Sequence, residues 1–183
     1  AVDEFEQLHR RNAGVSTNDW RPGDLEAAKS LAQVIDGIGS TLYFSSGAFQ
    51  GGQSEEERPT REQEIRLFRE TLSVIELLAS VGLPSLAHHL VETLERFVDV
   101  DPESIFLLIG RTVQAGRRGG YQFDSLAADL IVRVVERYLA EYRYLFGQSA
   151  ECRNAPLATL DVFVTAGWPS ARQLTYGLEE IFR

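Results

Sequence analysis

Residues 60–97 read TREQEIRLFRETLSVIELLASVGLPSLAHHLVETLERF, and no other stretch indicates the fold class as clearly. Apolar side chains recur there every three or four residues, a spacing typical of amphipathic helices. Thr60 followed by Gln63 predicts a capping box at the start of the first helix. Gly82 predicts the end of that helix, and Pro84 suits the first turn of the next one. The stretch therefore predicts a helical hairpin.

The first helix of this hairpin has apolar side chains on two sides. One stripe consists of Ile65, Phe68, Leu72, Ile75 and Ala79, and the other of Leu67, Val74, Leu78 and Val81. A helix that is apolar on two sides packs between neighbours rather than at the surface. We therefore expect further helices on both sides of it.

Similar signals continue over the rest of the chain. Asp24, Asp101 and Asp124 are candidate N-caps, whereas Gly37 and Gly39 predict a break near Ile38. No stretch alternates convincingly between apolar and polar residues. The predicted fold is all-α, either stacked antiparallel helix pairs as in an α-solenoid or an irregular helical bundle. The other predicted helices cover 2–13, 25–44, 102–116, 124–146 and 154–166, with a last one up to 182.

Composition divides the chain into three parts. Residues 1–44 are predicted to form N-terminal helices, and 60–183 to form a helical-repeat-like domain. Between them, residues 45–59 read SSGAFQGGQSEEERP, in which Gly, Ser, Gln and Glu dominate. Such a composition cannot bury much apolar surface, so it predicts a flexible polar loop.

Two turns of the sequence match each other. Gly82-Leu83-Pro84-Ser85 corresponds to Gly167-Trp168-Pro169-Ser170, 85 residues further on. That separation is about two periods of a HEAT-type helix pair. Over roughly residues 60–183 the chain resembles a HEAT-like α-solenoid, and the resemblance implies stacked helix pairs. An irregular bundle with two similar hairpins is the alternative. Residues 160–183 also resemble the closing helices of some large bacterial multidomain proteins, including ones with an upstream ATPase region.

Composition and charge narrow the classes of function. The chain has 183 residues, of which 44% are hydrophobic and 25% charged, as in ordinary globular domains. No apolar run reaches the ~20 residues that a membrane span needs, so we expect no membrane association. The formal net charge of −9 argues against binding duplex nucleic acid by bulk electrostatics.

The numbers of lysine, arginine and cysteine residues indicate the kind of genome and the cellular compartment that we expect for this protein. Lys29 is the only lysine beside many arginines, which favours a GC-rich, bacterial genome. Cys152 is the only cysteine, so the chain can form no internal disulfide. A lone cysteine suits the reducing cytoplasm, and we expect a cytoplasmic protein.

The sequence contains no recognisable catalytic or metal-binding motif. It has no phosphate-binding glycine loop and no G-x-S-x-G elbow. His88 and His89 are adjacent, so on a helix they point about 100° apart and are poorly placed for one metal ion. Cys152 lies in a polar stretch and is predicted to be an exposed, incidental thiol. We therefore expect no catalytic residue, metal or cofactor, and lean towards a protein that is not an enzyme.

One polar cluster is a candidate site for phosphate or nucleic acid. Arg111, Arg117 and Arg118 precede Gly119-Gly120-Tyr121, so guanidiniums, flexible backbone and an aromatic ring lie close in sequence. Such groups can hold a phosphate or stack a base. The same residues also fit a basic surface loop that faces an acidic neighbour.

Trp168 is a candidate anchor for a protein partner. It follows Gly167 in the second of the matching turns, and tryptophan is frequent among the residues that dominate protein interfaces. The alternative is that Trp168 packs over the turn between two helices, and the sequence favours this structural role.

Together these observations predict a non-catalytic α-helical domain for protein interaction or regulation. Its partner would be another protein or upstream domains of the same polypeptide, with this chain as the C-terminal part of a larger bacterial protein. The alternative is a domain that contacts nucleic acid or a nucleotide through Arg111, Arg117 and Arg118. A third class is an all-α enzyme without sequence motifs, which a deep apolar cavity with converging polar groups would indicate.

Overall fold

The computed structural model describes residues 1–49, 59–120 and 125–181, with side chains omitted for 125–128 and 179–181. Within these ranges the regular structure is helical and no strand occurs, so the predicted all-α class is confirmed. A short 3-10 helix covers Thr17–Asp19. The α-helices are α1 (Val2–Arg11), α2 (Pro22–Ser45), α3 (Arg61–Leu78), α4 (Pro84–Phe97), α5 (Pro102–Arg118), α6 (Ser125–Glu141), α7 (Leu145–Gln148), α8 (Ala150–Thr165) and α9 (Pro169–Ile181).

Several helices begin where the capping residues and prolines of the sequence predict. The hydroxyl of Thr60 accepts a bond from the Gln63 backbone N–H, and the Gln63 side chain accepts one from the Thr60 N–H. These reciprocal bonds confirm the capping box before α3. Asp101 accepts a bond from the Ser104 N–H and caps α5. Pro84 occupies the first turn of α4, as predicted.

Helix α2 differs from its prediction at both its start and its middle. It begins at Pro22, so Asp24 lies in its first turn instead of capping it. It also continues without a break through Gly37 and Gly39. Gly39 lies where α2 packs against α4, and a Cβ there would approach the Leu86 Cδ1 atom to 2.4 Å. The close helix–helix approach compensates for the poor helix propensity of glycine.

The second half of the chain corrects two predicted boundaries. The helix expected to run to Phe146 ends at Glu141, and the separate α7 places Leu145 and Phe146 in the core. Helix α8 begins at Ala150, four residues before the predicted start, because Ser149 accepts a bond from the Cys152 N–H. Pro156 therefore lies inside the helix. The predicted cap Asp124 lies outside the described residues.

Helices α2, α4 and α6 pack side by side and run in the same direction. Gly39 of α2 meets Leu86 of α4, and one turn further on Tyr43 stacks on His89. Between α4 and α6, Arg133 acts electrostatically on Glu95, and four residues on Arg137 binds Asp99. In each pair of helices the contacting residue numbers increase together, which shows that the two helices are parallel.

Helices α5 and α8 are also parallel. Glu103 contacts Cys152 near their starts, and further along the Gln114 side chain donates a bond of 2.6 Å to the Ala158 carbonyl. Helix α3 packs on α4, and α9 packs on α8 and α6. One hydrophobic core runs through the molecule, from Phe5 in α1 to Leu178 in α9.

The two matching turns have different conformations. Gly167 has a φ of +91°, a left-handed conformation that favours glycine. Gly82 instead packs against Gly119 at the end of α5, where a Cβ on Gly119 would lie 1.7 Å from the Gly82 carbonyl oxygen. Of the predicted polar loop, Ser46 and Gly47 are buried beside the end of α2. The rest of its polar and acidic residues, 50–58, lies outside the described residues.

Candidate functional site

A charged cleft of about 820 Å³ opens between α2, α3, α4 and α6. Its walls come from parts of the chain that are far apart in sequence, from residue 43 to residue 137. Hereafter "the charged cleft" means this site. It is lined by the arginines Arg61, Arg96, Arg133 and Arg137, the carboxylates Glu64, Glu92, Glu95 and Asp99, and Tyr43, Ala48 and Phe49 at one end.

A buried carboxylate connects two of the arginines. Only 4% of the Glu64 side chain is exposed. Arg61 donates a bond of 3.2 Å to Glu64 Oε2, and Arg96 Nη2 lies 2.6 Å from Oε1 as an ion pair outside hydrogen-bond geometry. Burial of a carboxylate is costly unless it is paired, so the two guanidiniums stabilise Glu64 in this position.

In the turn just after α4, Asp99 accepts two hydrogen bonds. One comes from the Tyr142 hydroxyl and the other from Arg137 Nη2 at 2.5 Å. The Tyr142 bond, and after it the Arg137 guanidinium, hold the pKa of Asp99 below its usual value despite partial burial. Burial and the bond to Asp99 raise the pKa of Tyr142 to about 12. Arg137 also donates to Glu141 at 2.9 Å, so its guanidinium bridges two carboxylates.

Glu95 and Arg133 differ from these residues in their ion pairing. Neither forms an ion pair within 4 Å in the described part of the chain. Burial raises the pKa of Glu95, and the nearby charge of Glu92 adds to this effect. Arg133 and Arg137 oppose it but do not outweigh it. The Arg133 side chain is exposed and faces the cleft.

Four rings form an aromatic cluster at the α2 end of the charged cleft. Tyr43 stacks on His89 with ring centroids 4.7 Å apart, and Phe44 and Phe49 pack edge to face at 5.2 Å. Phe44 is 52% exposed, so the cluster presents an apolar surface to solvent. Burial, and after it the neighbouring carboxylate of Glu92, raise the pKa of Tyr43.

The histidine pair has contacts other than a metal. His88 Nε2 lies 3.5 Å from Glu92, one helical turn further along α4, and His89 belongs to the aromatic cluster. Among the side chains that the structure describes, no group of three or more from His, Cys, Asp or Glu is arranged to hold a metal ion.

The predicted arginine cluster divides into separate environments. Arg111 lines a groove of about 350 Å³ between α5 and α8, whereas Arg117 forms an exposed ion pair of 3.4 Å with Asp161 of α8. Arg118 is exposed at the end of α5. Tyr121 lies outside the described residues, so its place beside the arginines stays a prediction. The acidic neighbour considered as the alternative partner of this loop is present as Asp161.

Trp168 is half-buried in the turn between α8 and α9 and packs against the main core. Its backbone N–H donates a bond of 3.0 Å to the Phe163 carbonyl. This placement agrees with the structural alternative, a side chain that packs over the turn. Its use as a partner anchor stays a prediction.

The predicted exposed thiol is wrong. Cys152 is fully buried in the first turn of α8, and its sulfur lies 3.7 Å from Glu103 of α5. The error follows from the misplaced start of α8, because a helical turn here directs Cys152 into the α5–α8 contact. Burial raises the pKa of the Cys152 thiol, which disfavours the reactive thiolate.

Two features of the sequence point to the charged cleft, although neither forms a recognisable motif. Glu64 lies four residues before Phe68 and eleven before Ile75, so helical spacing places it on the buried stripe of α3. The second is Asp99, because one carboxylate of the pair Asp99 and Asp101 is enough to cap α5. Asp101 is the cap, whereas Asp99 faces the cleft.

No protein-family model matches the chain, and no curated protein or solved structure is significantly similar to it. Among the helices that the structure describes, none combines the length and the apolar character required to cross a membrane. The charged cleft is therefore interpreted from its own geometry.

Proposed function

We propose that this chain is a non-catalytic domain for protein interaction or regulation and that the charged cleft is its recognition surface. The supporting observation is that four arginines and four carboxylates from α3, α4, the turn after α4 and α6 converge beside an exposed aromatic cluster. Arginine and aromatic side chains are enriched where proteins bind one another. A cleft of about 820 Å³ has room for several residues of a partner chain.

The charge balance of the cleft favours a protein over a polyanion. Its four guanidiniums are matched by four carboxylates, and the whole chain has a net charge of −9. Nucleic acid binding depends on a surplus of positive charge near the phosphates. The cleft is also polar and open, unlike the deep apolar cavity that would favour an unrecognised enzyme.

The arrangement of the helices supports a binding face like that of helical-repeat proteins. In stacked helix pairs every second helix is parallel to its predecessor, and one layer of helices forms an extended binding face. The parallel order of α2, α4 and α6 agrees with such stacking, and the charged cleft lies along this layer. The partner would be a separate protein or an upstream domain of the same polypeptide, and the lone cysteine favours a setting in the bacterial cytoplasm.

Photo-cross-linking from inside the cell tests this proposal. A benzoylphenylalanine at Phe44, beside the cleft, should cross-link one dominant protein. The same group at Tyr176, which is 67% exposed on α9, is the control for surface exposure. Arg133→Glu should abolish the Phe44 cross-link because it reverses an exposed charge that faces the cleft. Arg172→Glu, an exposed charge reversal on α9, should leave it unchanged.

Two outcomes would contradict the proposal. Equal cross-linking from Phe44 and Tyr176 would mean that the cleft has no special role. A cross-link from Phe44 that survives Arg133→Glu would mean that the charged residues do not recognise the partner.

Contact with nucleic acid or a nucleotide through Arg111, Arg117 and Arg118 is the second candidate function. Arg118 is exposed without an acidic partner within 4 Å in the described residues, although Asp161 already neutralises Arg117. This function predicts salt-sensitive binding that an Arg117→Ala/Arg118→Ala double variant loses. Binding that nuclease treatment or this variant removes, while Arg133→Glu has no effect, would favour it over the cleft.

A further inference from the structure

Two guanidiniums in the charged cleft are held in place and, among the described residues, use only a small part of their hydrogen-bonding capacity. Glu64 lies buried between Arg61 and Arg96, whose side chains remain 43% and 39% exposed. A guanidinium has five N–H donors. Within the described ranges Glu64 is the one carboxylate within 4 Å of either arginine. One buried carboxylate thus orients two exposed guanidiniums, and the three side chains together keep one positive charge.

The carboxylates of the cleft differ in how far they are occupied. Asp99 accepts hydrogen bonds from both Arg137 and Tyr142, whereas Glu92 lies 3.5 Å from His88 and Glu95 forms no ion pair within 4 Å in the described residues. At Arg61 and Arg96 the groups that face a ligand are N–H donors. Donors with positive charge form their strongest hydrogen bonds with oxyanions.

Shape, rather than charge, selects among oxyanions here. Glu92, Glu95 and Asp99 line the same space and offset the positive charge of the arginines, so the described lining offers no surplus of positive charge to a doubly charged phosphate. A carboxylate is also planar, and its two oxygens match the fork of a guanidinium.

We propose that Arg61 and Arg96, oriented by Glu64, bind a carboxylate side chain from an acidic segment of the partner protein. The identity of the ligand's source rests on the proposed function of the cleft, whereas the carboxylate site itself does not. Orientation of both arginines before binding reduces the entropy lost when the complex forms. Arg133, which forms no ion pair within 4 Å with the described side chains, adds positive charge in the same cleft for the segment to approach.

The site is testable without the partner. The probe is N-acetyl-aspartate N-methylamide, a blocked aspartate, titrated into the full chain at constant ionic strength. The arginine Nε–Hε signals in NMR spectra report its binding. We expect the Arg61 and Arg96 signals to shift. Arg61→Gln and Arg96→Gln should each weaken binding by about tenfold or more, the effect of losing a charge-assisted hydrogen bond.

Two further variants separate binding from folding. Arg96→Lys keeps a positive charge beside Glu64 but removes the planar fork, so it should fold and still bind the probe more weakly. Arg69→Gln changes an exposed arginine of α3 outside the cleft and should bind like the original chain. Circular dichroism of each variant confirms that it is folded before titration.

The outcomes distinguish this inference from the proposed function. Equal affinity of the original chain, Arg96→Lys and Arg69→Gln for the probe would overturn the carboxylate site, as would tighter binding of inorganic phosphate at the same arginines. If the probe binds as expected but Phe44 gives no specific cross-link, the site stands and the protein-interaction function fails. A specific cross-link without probe binding overturns the site alone.

Discussion

Glu64 and Glu95 line the same cleft, yet their surroundings act differently on the two carboxylates. Glu64 is almost fully buried and is held between two guanidiniums. Glu95 is partly buried without an ion pair within 4 Å in the described residues, and burial raises its pKa. At the scale of single residues, partners rather than depth decide whether a buried charge stabilises the fold.

Glu95→Gln should stabilise the protein at neutral pH. A raised pKa in the folded state means that folding favours the protonated form. The contribution of Glu95 to stability is therefore largest at low pH and is lost as the pH rises through the raised pKa. The gain from the neutral Gln should be larger at pH 8 than at pH 4. Urea unfolding at both pH values measures it, with Glu136→Gln on the exposed side of α6 as the control. Destabilisation at pH 8 would show that Arg133 and Arg137 hold the charged form.

Asp99→Asn should have the opposite pH dependence. The pKa of Asp99 is lowered in the folded state, so its contribution to stability is present above the usual aspartate range. It is lost as the pH falls through the lowered pKa. The loss at pH 7 should be about 0.5–1 kcal/mol, because the pair with Arg137 is partly exposed. Thermal unfolding at pH 7 and pH 3 tests this. Asp129→Asn, an exposed change on α6, is the control, and an equal effect of both variants would contradict the assignment.

At the scale of helices, sequence reasoning succeeded where a signal is local and failed where the cause is distant. Thr60 with Gln63 and Asp101 with Pro102 mark helix starts through bonds within four residues. The break expected at Gly37 and Gly39 does not occur, because the contact with Leu86 lies 47 residues beyond Gly39. The end of α6 at Glu141 is similarly linked to the burial of Leu145 and Phe146.

Gly39→Ala and Gly37→Ala should therefore have effects of opposite sign, although both glycines lie in α2. A methyl group on Gly39 would overlap Leu86, which is fully buried and has little space to move. We expect a loss of about 1–3 kcal/mol from such overpacking. A methyl group on Gly37 meets open space, and the higher helix propensity of alanine should add about 0.5–1 kcal/mol. Urea midpoints of the two variants test the contrast, and equal effects would mean that Leu86 yields to the added methyl group.

At the scale of the whole molecule, the site was harder to predict than the fold. The helical period is visible in the sequence, and it was sufficient for the all-α class. The charged cleft depends on which helices are neighbours, and no local pattern states that α2, α4 and α6 are parallel. Helical spacing places Arg133, Arg137 and Glu141 on one polar stripe of α6, which permits pairs four residues apart. The Arg137–Glu141 bond is such a pair, but Asp99, in the turn between α4 and α5, completes the site.

The contiguous core predicts that the chain unfolds cooperatively as one unit. The composition of the chain, in contrast, favours two separate helical parts at residues 1–44 and 60–183. Ile35 and Leu42 of α2 share one hydrophobic core with Leu178 of α9. Repeat-like proteins lose cooperativity when each unit contacts only its neighbours, whereas a contiguous core couples distant helices. The two tryptophans report on the two ends. Trp20 packs with Leu8 and Ala28 in a second, smaller cluster, which Leu31 connects to the core, and Trp168 lies before α9. Variants Trp168→Phe and Trp20→Phe each leave one fluorescent probe. We expect both probes to give the same urea midpoint after correction for the stability change that each substitution causes, which circular dichroism measures.

An earlier transition at Trp20 would mean that the N-terminal helices unfold as a separate unit. Because Tyr43 belongs to those helices, such unfolding would also remove one wall of the charged cleft.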